Sequence, residues 1–295
     1  MYHAYRLSKR FRSYEPRPVT PIVAFRYLRQ FPRDLRHEIT QVLGRVSYLT
    51  SAQVKESLFD ECRIAITRLL QAGIQEANIL IVPAHATGES AVHSLNLIRD
   101  SLAVEFPELR FHEAGPAAAR DLVRMRAESA VIFLDDFIGT GDQFTDSLIA
   151  WTSALAGRTT RFILVAAVVC SEGKARIEDR GALVQPGLIH SSDDRFLAVC
   201  LSACGEESMK RLAVLACELQ SRMPFGHGNG GSMVVLSRNS PTNLPLLLRG
   251  SDGQRVWFGL FPRKDQVEPR SYEHSISKVN WPKGMTAPNL QDVGA

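Results

Sequence analysis

Two adjacent aspartates follow a short apolar run near the middle of this 295-residue chain. The run is Val131–Leu134, the aspartates are Asp135 and Asp136, and a small loop, Gly139-Thr140-Gly141, comes two residues later. Residues 144–156 then have the pattern of a helix. The order predicts a buried strand, an acidic tip, a phosphate-sized loop and a helix, which together suit a sugar phosphate held with a divalent metal ion.

Each part of this segment offers a specific chemical group. Successive side chains of a strand point to opposite sides. One aspartate can therefore face a cleft, while the other points toward the residues that support the site. A cleft carboxylate coordinates Mg²⁺ or accepts hydrogen bonds from ribose hydroxyls. Gly139 and Gly141 allow backbone N–H groups to turn inward, Thr140 adds a hydroxyl, and the helix adds its positive end. The alternative interpretation is a sharp strand-to-helix turn in which Asp142 is the N-cap.

The surrounding elements predict an α/β fold. Apolar strand-sized runs alternate with helical patterns, which is typical of a mostly parallel sheet in three layers, with helices on both faces. Ligands of such sheets bind beyond the carboxyl ends of the strands, where the two aspartates are expected. The predicted strands are 78–82, 109–112, 131–134 and 162–169, and the predicted helices between and after them are 90–103, 117–125, a helix after Gln143, and 172–180.

The flanking regions predict four parts of the chain. Residues 1–20 are basic and aperiodic, which predicts a loose leader. Residues 21–75 have helical spacing, beginning with a short helix at Pro21, and are expected to pack on the core. Residues 76–265 form the predicted α/β domain. Its C-terminal part, residues 224–263, is called the hood; it follows a predicted helix at 206–222 and contains predicted strands at 232–236 and 255–261. Residues 266–295 are polar and are expected to form a mobile tail.

Composition limits the function classes. The hydrophobic content of 45% and the charged content of 22% are those of an ordinary globular protein. Five cysteines, most in apolar surroundings, predict reduced thiols and a cytoplasmic location. No apolar run approaches the roughly 18 residues that a membrane span requires, so no membrane partner is expected.

The N-terminal forty residues are strongly basic. They carry nine Lys or Arg and three Asp or Glu, so their charges sum to +6, whereas the net charge of the whole chain is +4. Seven aromatic residues lie among these charges, so nucleic-acid contact is one interpretation and a solvated helix with inward-packed aromatics is the other.

Val131–Gln143 resembles the phosphoribosyl-pyrophosphate segment of type I phosphoribosyltransferases. That resemblance implies that Asp135 and Asp136 face the ribose hydroxyls and act as the catalytic and Mg²⁺-binding pair, directly or through water or ligand. It implies that the 5′-phosphate loop is Gly139, Thr140, Gly141, Asp142 and Gln143. It also places pyrophosphate at the loop after the first strand, whose candidate contacts are His85, Thr87, Gly88 and Ser90.

The order of further motifs resembles a divergent phosphoribosyltransferase-like branch found in bacterial conflict and defence systems. The motifs are 25–31, 133–141, 224–228, 239–245 and 257–263. This resemblance implies a defence context and a partner protein in a multi-component system, but no particular substrate. We further expect the hood to supply Phe225 or His227 against a base, with ordinary turn chemistry as the alternative.

Three departures from the transferase pattern leave catalysis open. Glu89 stands where a cation would meet pyrophosphate, Asp142 adds a carboxylate to the phosphate loop, and Gly139 replaces a hydroxyl residue. The expected function is therefore binding of a ribose 5-phosphate ligand, either phosphoribosyl pyrophosphate or a nucleotide, with Mg²⁺ and phosphoribosyl transfer if the protein is active. The alternatives are a non-catalytic nucleotide-sensing or partner-docking module, and a nucleic-acid-binding effector that uses the basic N-terminus.

Overall fold

The computed structural model describes residues 2–85, 89–113, 128–219, 222–250 and 257–264. The chain divides into two compact units. Unit 2 comprises residues 52–191 and is continuous, whereas unit 1 combines residues 1–51 with residues 192–295. Sequence patterns predicted different boundaries, with the α/β domain over 76–265. In the structure, the N-terminal helices and the residues after 192 share one core.

Unit 2 contains a five-stranded parallel sheet in the order β3-β2-β4-β5-β6. Its elements are α4 (Ser51–Gln71), β2 (Ile79–Pro83), α5 (Glu89–Glu105), β3 (Arg110–Phe111), β4 (Ser129–Ile138), α6 (Asp142–Ala154), β5 (Thr160–Cys170), α7 (Ser171–Glu178) and β6 (Leu183–His190).

Helices cover both faces of this sheet. The connection from β2 to β3 runs in one direction, and the connections from β4 to β5 and β6 run in the other. Right-handed crossovers therefore place α5 on one face and α6 and α7 on the opposite face. On the second face Phe144, Leu148 and Trp151 of α6 are buried against sheet residues such as Phe133. The predicted α/β fold is confirmed.

The sequence patterns missed β6. This strand contains Pro186 and Gly187, which predict a turn when the chain is read locally. Proline lacks the N–H that a central strand must donate, but β6 is the last strand of the described sheet order and only one side of it needs a partner. The predicted helix over 117–125 lies outside the described residues.

Unit 1 is built from helices around an aromatic core and a two-stranded parallel sheet. Its elements are α1 (Tyr2–Phe11), α2 (Pro21–Arg29), α3 (Leu35–Leu43), β1 (Ser47–Leu49), α8 (Phe196–Leu219), β7 (Val234–Leu236) and α9 (Leu246–Arg249). Strands β1 and β7 pair in register from Ser47↔Val234 to Leu49↔Leu236. The predicted helix at Pro21 is confirmed as α2, whose first turn is capped by Thr20.

The N-terminal residues belong to unit 1, whereas the sequence predicted a loose leader over residues 1–20. Residues 2–11 form α1, and its side chains Leu7 and Phe11 are buried in the core. The hydroxyl of Tyr14 donates to the carbonyl of Pro262 at 2.6 Å, so segments far apart in sequence meet here. The helical spacing of Ala4, Leu7 and Phe11 is present in the sequence and was overlooked.

Two predictions for the C-terminal region had different outcomes. The predicted strand at 232–236 is present as β7, whereas residues 257–261 of the predicted last strand contain no strand, and residues 251–256 lie outside the described part.

The predicted helix at 206–222 belongs to the longer α8, which is interrupted at Gly205. The predicted mobile tail, residues 266–295, is not among the described residues. No helix in the described ranges is both long and apolar enough to cross a membrane.

Candidate functional site

The sheet of unit 2 has a topological switch point between β2 and β4. The chain leaves β2 toward β3 on one side and leaves β4 toward β5 on the other. At such a point the two connecting loops diverge and leave a crevice outside the carboxyl ends of the strands, where ligands of open α/β sheets bind. The loop after β2 and the loop after β4 border this crevice, and both carry residues that the sequence singled out.

A histidine–aspartate ion pair joins the two sides of the switch point. His85 follows β2, and its Nε2 lies 2.6 Å from Oδ2 of Asp135 near the end of β4. Asp135 is 1% exposed, and the His85 side chain is largely buried. His85 Nδ1 is also buried and has no hydrogen-bond partner among the described residues. Sequence reasoning named both residues but did not predict their contact.

The other oxygen of Asp135 accepts two more hydrogen bonds. The backbone N–H of Asp136 donates to Oδ1 at 2.8 Å, and the hydroxyl of Ser90 donates to it at 3.4 Å. Three protein groups therefore surround the Asp135 carboxylate. Asp136 is in a different environment. The residue is partly exposed, and Asp135 is the only described side chain that forms a hydrogen bond with its carboxyl group. The two neighbours are in different environments, as alternation along a strand predicts.

These environments change the pKa values of His85 and Asp136. Desolvation lowers the pKa of His85, but the hydrogen bond and the negative charge of Asp135 outweigh it, so the net pKa lies above 6.5. Desolvation by the protein atoms around Asp136 raises the pKa of its carboxyl well above 3.8, and the charge of Asp135 raises it further. Asp136 is thus a carboxyl group whose ionised form lacks a cationic partner among the described residues.

The loop after β4 turns sharply into the N-terminus of α6. Gly141 adopts a left-handed conformation with φ of 80° and is the N-cap of α6. The loop also packs against α7, because a Cβ on Gly173 would lie only 2.3 Å from the carbonyl oxygen of Gly139. The first N–H groups of a helix have no partner within the helix, and anions commonly bind at such positions.

Asp142, the first residue of α6, is neutralised by its neighbours. It forms a short ion pair with Arg176 of α7 and accepts a hydrogen bond from the hydroxyl of Thr140 at 2.7 Å. The interpretation of Asp142 as the N-cap is corrected, since Gly141 occupies that position. Arg176 was missed by sequence reasoning, because only the fold brings residues 142 and 176 together.

The structure brings most of the predicted phosphoribosyl site together. Both aspartates, His85, Ser90 and the loop from Gly139 border one switch point, and Gln143 is exposed in the first turn of α6. Thr87 and Gly88 lie outside the described residues, and so does the side chain of Glu89.

The two residues expected from the hood belong to unit 1. Phe225 is half-buried and packs against Phe196 with ring centroids 6.0 Å apart, while His227 is exposed in a short turn. The packing of Phe225 fits the alternative interpretation, ordinary turn structure, and its contact with a base remains a prediction.

The residues present fit a magnesium ion only as one shared with a ligand. No group of three or more His, Cys, Asp or Glu side chains in the described ranges could hold a metal by itself. Asp136 offers hard carboxylate oxygens without a cationic partner in the same ranges, and Mg²⁺ is commonly held by one or two carboxylates together with ligand phosphates.

Comparisons with known proteins give the family. The AQ2163 protein from Aquifex aeolicus is 14% identical, with a TM-score of 0.30 over 40% of this chain and 57% of its own, so this chain spans little more than half of it. The orotate phosphoribosyltransferase from Aeropyrum pernix is 20% identical, with a TM-score of 0.26 over 49% of this chain and 75% of its own. No curated protein matches the chain. The PRTase-CE family model matches residues 25–263, and the chain therefore belongs to this phosphoribosyltransferase-like family.

Proposed function

We propose that this protein binds a ribose 5-phosphate-containing ligand, either phosphoribosyl pyrophosphate or a nucleotide, together with Mg²⁺ in the crevice beyond β2 and β4. One observation carries the proposal. A glycine-bounded loop that leads into a helix N-terminus begins three residues after Asp136, a partly exposed aspartate at the switch point of a parallel sheet. Membership of a phosphoribosyltransferase-like family supports the phosphoribosyl character of the ligand.

The 5′-phosphate is assigned to the loop Gly139–Gly141 and the first turn of α6. Backbone N–H groups and the helix dipole both favour an anion at this position. Arg176 adds a positive charge beside the loop and offsets the negative charge of Asp142. The carboxylate that seemed unfavourable in the sequence is therefore balanced by a cation of the same site.

The two aspartates take different roles in this proposal. Asp136 contacts the ribose hydroxyls or the metal, because the residue is partly exposed and its carboxyl has no cationic partner among the described residues. Asp135 is a positioning residue, because its oxygens are engaged by His85, Ser90 and the N–H of Asp136. A bound metal would also favour the ionised form of Asp136, which the protein alone disfavours.

If the protein is an active phosphoribosyltransferase, the acceptor attacks C1 of the ribose and the bond from C1 to the pyrophosphate oxygen breaks. Pyrophosphate leaves with the electron pair, and the proton of the acceptor passes to solvent. When bound, Mg²⁺ supplies charge neutralisation of the pyrophosphate. The contribution of this chain is to hold the 5′-phosphate and the ribose so that C1 is accessible to the acceptor.

A non-catalytic sensing or docking module is the second candidate. The ion pairs His85–Asp135 and Arg176–Asp142 favour it, because each commits a cation at the site to a carboxylate of the protein. Neither cation is then fully available to neutralise a leaving pyrophosphate. A role in a bacterial conflict or defence system, with a partner protein, is a further proposal that rests on the order of sequence motifs.

Calorimetric titration with phosphoribosyl pyrophosphate, ribose 5-phosphate and AMP, each with and without Mg²⁺, tests the proposal. Binding strengthened by Mg²⁺ and weakened about tenfold or more by Asp136→Asn is expected. Asp146→Asn is the matched control, since Asp146 is exposed on α6 beyond the loop. Pyrophosphate release that disappears in Asp136→Asn identifies the enzyme, and binding without release identifies the sensor. Absence of binding by all three ligands contradicts both.

A further inference from the structure

The exposed face of α1 combines aromatic rings with positive charge. Buried and exposed residues alternate with helical spacing, with Ala4, Leu7, Ser8 and Phe11 on the buried side. The exposed side carries Tyr2, Tyr5, Arg6 and Lys9, and Arg12 follows at its C-terminal end. Because the buried side fixes the helix in the core of unit 1, the exposed rings and charges are held on an ordered surface.

The two tyrosines are unusual for their exposure. Tyr2 is 68% exposed and Tyr5 is 62% exposed, whereas Phe11, Tyr14, Tyr27 and Phe31 of the same N-terminal region are fully buried. Within the described ranges no other aromatic residue has comparable exposure. The seven aromatic residues of the N-terminal region therefore differ in burial: four build the core, Phe25 is partly buried, and two face solvent.

The rings at the start of α1 form a connected group with a neighbouring helix. Tyr2 contacts the ring of His3 at 5.8 Å between centroids, and His3 contacts His37 of α3 at 5.6 Å. The guanidinium of Arg6 lies 5.8 Å from the centre of the Tyr2 ring. Nucleobases stack on such rings and on guanidinium planes, with little dependence on sequence.

The basic residues of this region also differ in their environment, since some bind backbone carbonyls and others face solvent. Arg10 donates to the carbonyls of Gly44 and Val46, at 2.6 Å each, and Arg36 donates to the carbonyl of Phe31 at 3.0 Å. These two are structural. Arg6, Lys9 and Arg12 form no ion pair in the described structure, and residues 1–14 contain no acidic residue. Three cations therefore face solvent beside the two tyrosines.

We propose that this surface, formed by Tyr2, Tyr5, Arg6, Lys9 and Arg12, binds single-stranded nucleic acid. The cations match the phosphate backbone, and the exposed tyrosines match unpaired bases. A membrane surface fits less well, because the apolar face that an interfacial helix inserts is here buried in the core. The inference is independent of the phosphoribosyl site, since it concerns unit 1 and no residue of unit 2.

Fluorescence anisotropy of the full chain with a labelled single-stranded oligonucleotide tests this proposal. Three phosphate contacts predict a slope of about −2 for the logarithm of affinity against the logarithm of salt concentration. Tyr5→Ala is expected to weaken binding about fivefold or more, through loss of base stacking, while Tyr5→Phe keeps the ring and the affinity. Lys9→Glu is expected to abolish measurable binding at about 150 mM salt.

The controls separate this surface from general electrostatics. Lys55→Glu makes the same charge change at an exposed position of α4 in unit 2 and is expected to leave binding unchanged. All substituted side chains are exposed, and unchanged thermal melting of each variant shows that the fold is retained. Three results would overturn the proposal: no binding at about 50 mM salt, equal binding of a duplex with no effect of Tyr5→Ala, or binding of anionic vesicles but not of the oligonucleotide.

Discussion

At the scale of single residues, the two aspartates of β4 have opposite effects on stability. Asp136 carries a carboxyl whose ionisation the folded protein disfavours, so Asp136→Asn is expected to raise the free energy of unfolding at neutral pH. Asp135→Asn is expected to lower it by about 1–3 kcal/mol, because His85 loses its buried partner. Both substitutions are expected to weaken ligand binding. Sites that bind ligands commonly lower stability in this way.

The gain from Asp136→Asn is expected to depend on pH in a defined direction. Below about pH 3.8 the carboxyl of Asp136 is protonated in the folded and the unfolded chain, so the wild-type protein has no penalty there. Above that pH the unfolded chain releases the proton first, and the wild-type protein loses stability relative to the variant until the raised folded pKa is reached. Denaturant unfolding of both proteins from about pH 4 to 8 measures this difference. A constant difference across that range would contradict the assigned environment of Asp136.

The position of His85 is tested by two amide substitutions. The side-chain amide nitrogen introduced by His85→Gln approximates the position of Nε2, which contacts Asp135, whereas the amide nitrogen introduced by His85→Asn approximates that of Nδ1. If His85 acts by orienting Asp135, the glutamine variant is expected to keep ligand affinity within about threefold and the asparagine variant to lose about tenfold or more. The reverse order in calorimetry would instead assign the ligand contact to Nδ1.

The pair of Asp142 and Arg176 is predicted to act on phosphate affinity with opposite signs. Asp142→Asn leaves Arg176 free of its carboxylate partner beside the loop and is expected to tighten binding of ribose 5-phosphate about two- to tenfold. Arg176→Gln leaves the carboxylate unneutralised and is expected to weaken it by a similar factor. The effect is expected to shrink with added salt, because both side chains are about half exposed. Equal effects of the two variants in calorimetry would contradict the proposed phosphate position.

At the scale of elements, α7 is predicted to fix the shape of the phosphate loop. Alanine in a helix is normally better than glycine by about 1 kcal/mol. At Gly173, however, the added Cβ would lie 2.3 Å from the carbonyl oxygen of Gly139, so the backbone of the loop must shift. Gly173→Ala is expected to destabilise the protein by about 1–3 kcal/mol and to weaken phosphate binding about tenfold or more. Lys174→Ala, one residue further in α7, is the control, since its surface ion pair contributes little.

The same scale shows what sequence patterns can predict. The run Val131–Leu134 predicted a strand correctly, because a strand buried on both faces needs continuous apolar residues. Strand β6 escaped prediction, since its Pro186 and Gly187 are tolerated only by its place in the sheet. The predicted end of the Val131–Leu134 strand was too early, because β4 runs to Ile138 and the two aspartates lie inside it. The contacts His85–Asp135 and Asp142–Arg176 could not be predicted from sequence patterns, because each joins residues from separate parts of the chain.

At the scale of the whole molecule, the division of the chain into two units differs from the one that sequence patterns predicted. Helical spacing over 21–75 gave no sign that residues 21–51 share a core with residues after 192. That core depends on contacts between distant segments, such as the parallel pair β1–β7 and the hydrogen bond of Tyr14 with Pro262. Local periodicity carries no information on such pairings. The charge bias of the N-terminus was readable, but its division into structural arginines and solvent-facing cations required the fold.

The two units are expected to have separate roles. Unit 2 carries the proposed ribose 5-phosphate site at its switch point, and unit 1 carries the exposed basic and aromatic face of α1. The two assignments are independent, so Lys9→Glu is expected to leave ribose 5-phosphate affinity unchanged, and Asp136→Asn is expected to leave oligonucleotide affinity unchanged.

The most direct test of the central claim is amide hydrogen exchange of the full chain with and without saturating ribose 5-phosphate and Mg²⁺. Because the phosphate is assigned to backbone N–H groups, exchange of residues 139–144 is expected to slow about tenfold or more on binding. At a ligand concentration near the wild-type Kd, the same peptide is expected to show much less protection in Asp136→Asn than in the wild-type protein. Ligand binding without protection of residues 139–144, or with protection confined to unit 1, would contradict the account.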